Sequence, residues 1–277
     1  MSSTAPLIAL PARTVIAVGG DDRIAFLQGL VSNDVSKLVP GRAIWAALLT
    51  AQGKFLHEFF IIDAGDRLLL DCEAARKDDL LRRLKMFKLR SKVELTDLSA
   101  ELALFARLGP GDAAEVAGIA FADPRHAEMG SRLLLPIGTL ATGDFADWDR
   151  ARIALGLPDG SRDLLVEKSI LLENGFDELH GVAWDKGCYV GQELTARTKY
   201  RGLVKKRLVP VAVTGPLPEP GSPILRDGQE VGEIRSGRDD LALALLRLEA
   251  IREGAPLTCG EASLTVRAPA WAAFAAA

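Results

Sequence analysis

The sequence predicts an α+β protein that ends in a small antiparallel β-barrel. Three observations lead there. Strand and helix signals between residues 13 and 108 follow a βαββαβ-like order, which builds a mixed sheet rather than a doubly wound parallel one. No Gly-x-Gly-x-x-Gly turn opens a helix after a strand and no phosphate-loop motif occurs, which disfavours nucleotide-binding folds of those kinds. From residue 205 onward, short strand signals recur between turn residues at the spacing of a small barrel.

Residues 13–18, Arg-Thr-Val-Ile-Ala-Val, are rich in β-branched side chains and stop at Gly19-Gly20, the mark of a strand. Asp21 or Asp22 then caps a helix carrying Ile24, Phe26, Leu27 and Leu30. Residues 43–50 and 55–62 read as strands around Ala51-Gln52-Gly53-Lys54, with Gly53 supplying the turn. Polar His57 and Glu58 in the second strand read as a solvent-facing pair or as a site. A short strand at 67–72 precedes a helix over 74–89, whose Leu80, Leu81, Leu84 and Phe87 form one face opposite Arg, Lys and Asp. Strands follow at 92–96 and 102–108. Residues 109–131 hold six glycines and prolines and predict loops with a short helix; 132–136 is a strand. A helix over 144–155 ends at Gly156 with Pro158 beyond it. Residues 163–181 are expected as a loop.

After Leu203 the composition shifts. Residues 205–213 alternate like a strand, and Gly215–Pro223, with four prolines, reads as linker or turn. Strands are expected at 229–234, 241–248, 256–258 and 262–267, and a frayed Ala-rich end after Pro269. The domains are therefore drawn as 1–203 and 204–277.

The 277 residues carry a formal net charge of −3, with 48 % hydrophobic and 26 % charged side chains, ordinary for a globular protein with an ample core. No apolar run approaches the ~20 residues of a membrane helix, and no secretory signal is read at the N-terminus. Cys72, Cys188 and Cys259 are odd in number and far apart, which argues against a disulfide framework and for a reducing cytoplasm. His57, His126 and His180 show no metal-ligand spacing and no Cys-x-x-Cys occurs, so no metal site or resident cluster is expected.

The densest chemistry lies at Lys186-Gly187-Cys188-Tyr189-Val190-Gly191-Gln192-Glu193. Two glycines there permit tight turns or close approach to a ligand. Lys186 precedes the thiol by two residues, and nearby positive charge favours the thiolate, which is the reactive form. From Lys186 to Arg207, seven basic residues (Lys186, Arg197, Lys199, Arg201, Lys205, Lys206, Arg207) stand against one acid, Glu193, a local net of +6 that suggests an anionic partner. Cys72 and Cys259 lie in strand-like contexts and read as structural.

The Lys186–Glu193 stretch with Arg197 resembles the signature of the YgfZ family of folate-binding proteins, relatives of the glycine-cleavage aminomethyltransferase (T protein) implicated in iron–sulfur enzyme maintenance. Phe26-Leu27-Gln28-Gly29, Ser32-Asn33-Asp34-Val35, Glu173–Asp177 and Gly228…Val231–Ser236 resemble other parts of that superfamily. The resemblance implies a T-protein-like cloverleaf of two mixed α+β lobes followed by the barrel. It implies tetrahydrofolate or a one-carbon derivative as ligand, with Trp148, just before the Arg152–Pro158 pattern, stacking on a pterin, and Arg13 where relatives carry a second tryptophan. Gly187, Gly191 and Arg197 would complete the ligand site. Cys188 is the candidate reactive group, with Lys186, Tyr189, Gln192 and Glu193 orienting the thiol, contacting a pterin edge or shaping the loop. Expected partners are folate and iron–sulfur client or assembly proteins, including clients that modify tRNA, and no membrane. Two alternatives remain. One is a true aminomethyltransferase, against which His57 and Glu58 stand where relatives carry paired aspartates. The other is tRNA binding through the basic segment, against which stand the overall acidity and the 6 % aromatic content.

Overall fold

The computed structural model describes residues 5–109, 118–252 and 256–272. The elements are β1 (Ile8–Ala9), β2 (Arg13–Gly19), α1 (Arg23–Gln28), β3 (Ala43–Leu49), β4 (Phe55–Asp63), β5 (Arg67–Glu73), α2 (Lys77–Lys88), β6 (Glu94–Asp97), β7 (Leu102–Arg107), β8 (Ile119–Ala122), β9 (Ser131–Pro136), α3 (Phe145–Ala154), α4 (Gln192–Tyr200), β10 (Lys206–Thr214), β11 (Pro223–Arg226), β12 (Gln229–Arg238), β13 (Leu241–Arg247), α5 (Leu248–Arg252), β14 (Leu257–Cys259) and β15 (Ala262–Val266). No helix among the described residues is long and apolar enough to cross a membrane. The described residues fall into two compact units, one drawn from Met1–Ala51, Leu56–Trp148 and His180–Gln192, the other from Gln52–Phe55, Asp149–Leu179 and Glu193–Ala277.

The first unit holds two sheets, ordered β3-β4-β5-β2-β6 and β1-β7-β9-β8. Val15, Ile16, Val18, Phe59, Ile61 and Leu70 are all fully or almost fully buried, so β2, β4 and β5 lie in the core on both their faces. This overturns the reading of His57 and Glu58 as a solvent-facing pair: each is 3 % exposed. Successive side chains leave a strand on opposite faces. His57 meets α2, its Nε2 2.9 Å from Asp79 Oδ2, and burial together with Arg76 pushes its pKa down to about 4. Glu58 faces the other way, accepting from Trp45 Nε1 at 2.7 Å and pairing with Arg13.

That second face carries a buried ion network. Asp71, fully buried, accepts from Arg13 Nε and from Arg132 Nε of β9, each at 2.7 Å, joining the two sheets. Arg125 holds Asp123 in a fork of 3.0 and 2.8 Å. The guanidinium groups of Arg13, Arg125 and Arg132 lie 5.7, 4.8 and 4.2 Å from the centre of the Phe60 ring. Three arginines thus balance three carboxylates around one aromatic ring.

Local expectations are met with exceptions. Asp22 stands at the N-cap of α1, but its carboxylate accepts from the Lys92 backbone N–H at 2.7 Å instead of capping. On α2, Leu80 and Leu84 are buried while Phe87 is 41 % exposed. Residues 163–181, where only a loop was expected, include one short 3-10 turn, Leu171–Asn174, and a second, Gly160–Arg162, comes just before them. Part of the 109–131 stretch, residues 110–117, and the terminal 273–277 lie outside the described residues.

In the second unit β10-β13-β12-β11-β14-β15 close into an antiparallel barrel filled by Val209, Val211, Ile224, Ile234, Leu246 and Leu264. β11 starts at Pro223, inside the stretch read as linker. The Arg152–Pro158 pattern is structural. Arg152 is fully buried and bonds Asp149 (2.7 Å), Asp163 (2.8 Å) and Ser236 of β12 (2.9 Å). Gly156 closes α3 at φ +73°, with the Trp271 ring 3.0 Å from where a Cβ would sit, so no other residue fits there.

Candidate functional site

The site is built from two stretches of the first unit, 28–37 and 180–192. After α1 the chain leaves helical geometry with three carbonyls unused. Those of Gln28, Val31 and Asn33 converge on Lys186 Nζ at 2.8, 2.7 and 2.8 Å. An ammonium has three N–H donors, and here each finds one acceptor. Burial pushes the Lys186 pKa down to about 8, so the three protons are retained at neutral pH, and Nζ lies 5.0 Å from the centre of the Tyr189 ring.

Other bonds fasten the same contact. Ser32 Oγ donates to Gly181 O at 2.6 Å and Ala183 N to Ser32 O at 3.0 Å. Asn33 Nδ2 donates to His180 O and to Trp45 O, both at 2.7 Å. Gln28 fixes the turn by donating to Asp34 Oδ1 (2.9 Å) and accepting from Val35 N (2.8 Å). The Phe26–Val35 pattern, read from sequence as a helix and its cap, is therefore the cradle of the signature. Its resemblance to the superfamily, and its mixture of Gln, Ser, Asn and Asp directly after a helix, were the signals of a role beyond capping.

Lys186 and Tyr189 are buried, and between them Gly187 and Cys188 are exposed. A Cβ added at Gly187 would meet nothing within 4 Å, so this glycine leaves open space beside the thiol rather than permitting a turn. Gly191 has φ +83° and does need to be glycine. Cys72 and Cys259 are buried, as expected of structural cysteines; burial pushes the Cys72 thiol up to about 12 and raises that of Cys259.

The other expected site residues fall as follows. The three donors of Lys186 are all taken by backbone carbonyls, so its hydrogen bonds anchor the segment. Gln192 and Glu193 are not in a loop: they open α4. Gln192 Oε1 accepts from Tyr189 N at 3.3 Å, the shaping role, and Glu193 pairs with Arg197 at 2.7 Å one helical turn on. Arg13 is turned into the core on Glu58 and Asp71, and Trp148 is 3 % exposed with its ring against Phe145. The basic segment is partly neutralised: besides Lys186 and Arg197, Lys199 pairs with Asp177 and Arg207 with Glu178, each at 2.9 Å.

Comparison with known proteins defines the class. Residues 7–131 match the family described as the GCVT N-terminal domain, and residues 205–274 match the CAF17 C-terminal beta-barrel domain. The crystal structure of the glycine cleavage system aminomethyltransferase T from Bartonella henselae superimposes with a TM-score of 0.78 at 17 % identity, covering 97 % of this chain and 87 % of that one. The chain has the T-protein fold. Among curated relatives, the proteins named mitochondrial iron-sulfur cluster assembly factor IBA57 of Homo sapiens and Mus musculus are both 34 % identical, over 95 % of this chain and 84 % of theirs. The homologue of Mycosarcoma maydis is 38 % identical over 76 % of this chain and 58 % of its own. The chain belongs to the IBA57 family, the group to which the YgfZ-type signature pointed. The expectation of a cytoplasmic location is overturned, because these relatives are named as mitochondrial proteins.

Proposed function

We propose that this protein acts in iron–sulfur cluster assembly or repair, with Cys188 as the group that meets the iron–sulfur cargo and with iron–sulfur enzymes, those that modify tRNA among them, as clients. One observation carries the reading: the exposed thiol sits between two buried residues of a segment pinned by Lys186. The names of the curated relatives support the process. Clusters are held by sets of thiolates, usually four. A lone exposed thiol, beside two buried ones, serves as a transient or shared ligand, donating its thiolate sulfur to iron while the partner supplies the rest. Pinning the segment holds that sulfur in one place, which lowers the ordering cost of the encounter.

Tetrahydrofolate or a one-carbon derivative is the ligand that the T-protein fold suggests. Two of the side chains expected to hold it do not fit that role as arranged, since Arg13 is committed to two internal carboxylates and Trp148 to Phe145. A folate bound within residues 1–203 is held without these two, and Arg197, Gly187 and Gly191 stay as the residues proposed for it. The barrel, 204–277, is read as the second domain.

The test is rescue in cells lacking the endogenous protein. Cys188→Ala is expected to accumulate and melt like wild type yet restore no iron–sulfur enzyme activity, whereas Cys259→Ala, if folded, restores it. Full rescue by Cys188→Ala would remove the thiol from the function.

A further inference from the structure

The C-terminal end of α2 carries exposed apolar surface and unpaired charge side by side. Met86, Phe87 and Leu89 are 63, 41 and 88 % exposed, whereas Leu80 and Leu84 of the same stretch are buried. From Lys85 to Lys92 there are four cations, Lys85, Lys88, Arg90 and Lys92, and no acid. Arg82 and Arg83, just before them, are held by Asp79 at 2.5 and 2.7 Å, and Lys92 lies 4.0 Å from Asp21, both side chains being largely exposed. Lys85, Lys88 and Arg90 form no ion pair among the described residues. Lys85 and Lys88 stand in the last helical turn, where positive charge complements the helix dipole. That accounts neither for Arg90, which lies beyond the helix, nor for the apolar side chains. Leu89 is the sharpest case. The Ser91 N–H donates to the Lys88 carbonyl at 2.8 Å and closes a tight turn, in which Leu89 takes φ +42°, ψ −111°. Glycine is the usual residue at that place in such a turn, because a Cβ strains it. A leucine there costs stability and, exposed as it is, recovers none by burial.

We propose that this tip rests on an anionic lipid surface, with Met86, Phe87 and Leu89 dipping below the headgroups while Lys85, Lys88 and Arg90 meet the lipid charge. Apolar insertion and basic attraction are each weak and reversible alone, and they add when one tip carries both. A specific protein interface takes roughly 20–30 residues a side, far more than this turn presents, whereas a bilayer asks only for a basic tip with apolar side chains. RNA would use the cations but not the aliphatic Met86 and Leu89, and between Lys85 and Lys92 it would find one ring to stack on, Phe87. Spanning a bilayer takes an apolar run of ~20 residues, which the sequence lacks; resting on one does not. On this point the sequence-based expectation of no membrane partner is set aside. The tip makes no use of Cys188, and its role does not depend on the assembly reading.

Flotation of the full chain with vesicles in lipid excess, at physiological salt, tests the proposal. One set of vesicles is phosphatidylcholine alone; the other contains about one-third phosphatidylglycerol. The chain is expected to float with the anionic vesicles and not with the neutral ones. Leu89→Gly is expected to lower the partition coefficient about tenfold, through loss of inserted apolar surface. The same variant should melt no lower than wild type, since glycine accepts the positive φ. Replacing Lys85, Lys88 and Arg90 together by Gln is expected to lower partition by roughly fiftyfold or more, at about fivefold per cation. Absence of binding to the anionic vesicles overturns the proposal. So does vesicle binding that either Leu89→Gly or the triple replacement leaves unchanged: the first outcome would mean charge attraction without insertion, the second adsorption elsewhere on the chain. A single-stranded RNA oligomer or a polyglutamate peptide that binds through Lys85, Lys88 and Arg90 when the vesicles do not would overturn it in favour of a nucleic-acid or acidic-protein surface.

Discussion

Asp71→Ala is expected to destabilise the first unit by about 4 kcal/mol, because it leaves two buried arginines facing each other without their shared carboxylate. Asp71 is fully buried and is the acceptor common to Arg13 on β2 and Arg132 on β9. Arg13 would keep Glu58, but Arg132 would retain only Asp123, 3.9 Å away. Three positive charges would then share the Phe60 ring with one fewer negative charge. A replacement that removes the whole network in favour of apolar side chains would cost far less, since the penalty comes from the stranded partners. Denaturant unfolding of Asp71→Ala against wild type checks this. A loss below about 1 kcal/mol would mean that water reaches the arginines and that the network does not join the sheets as described.

Lys186→Met is expected to cost about 3 kcal/mol and to free the signature. Methionine preserves the length and much of the apolar stem but supplies no donor to the carbonyls of Gln28, Val31 and Asn33. Each buried acceptor left without a donor costs about 1–3 kcal/mol, reduced where water can enter. Lys186→Arg is not expected to restore the loss, because a planar guanidinium fork cannot point at three carbonyls arranged around one atom. The variant also separates anchoring from chemistry: Cys188 is intact, yet rescue should fall. Thermal unfolding of both variants checks the stability, and a shift of less than about 2 °C for Lys186→Met would contradict the clamp.

The elements that were legible in the sequence are those whose pattern is local. The β3–β4 hairpin shows in its Gln-Gly turn, α2 in its apolar spacing, α3 in the glycine after it, and most barrel strands in their alternation between turn residues. α4 was hidden because its nine residues bury only Thr195 and so show no apolar face. β11 was hidden because proline at the first position of a strand looks like linker. The exposed cysteine was legible as part of a signature, but the work of its neighbour was not. Lys186 next to a thiol suggests electrostatics; its three acceptors lie on a distant stretch of chain and are backbone groups that no side-chain pattern announces. Arg13, His57 and Glu58 misled for a related reason. A polar residue on a strand reads as exposed unless the other face of its sheet is known to be covered, and here both faces are.

The most direct test of the central claim, that a clamped segment presents Cys188, is site-resolved alkylation of the native protein with iodoacetamide, read by mass spectrometry. The predicted result is that Cys188 is alkylated in the native protein, while Cys72 and Cys259 react only after unfolding. Protection of Cys188 comparable to that of Cys72 would contradict the claim.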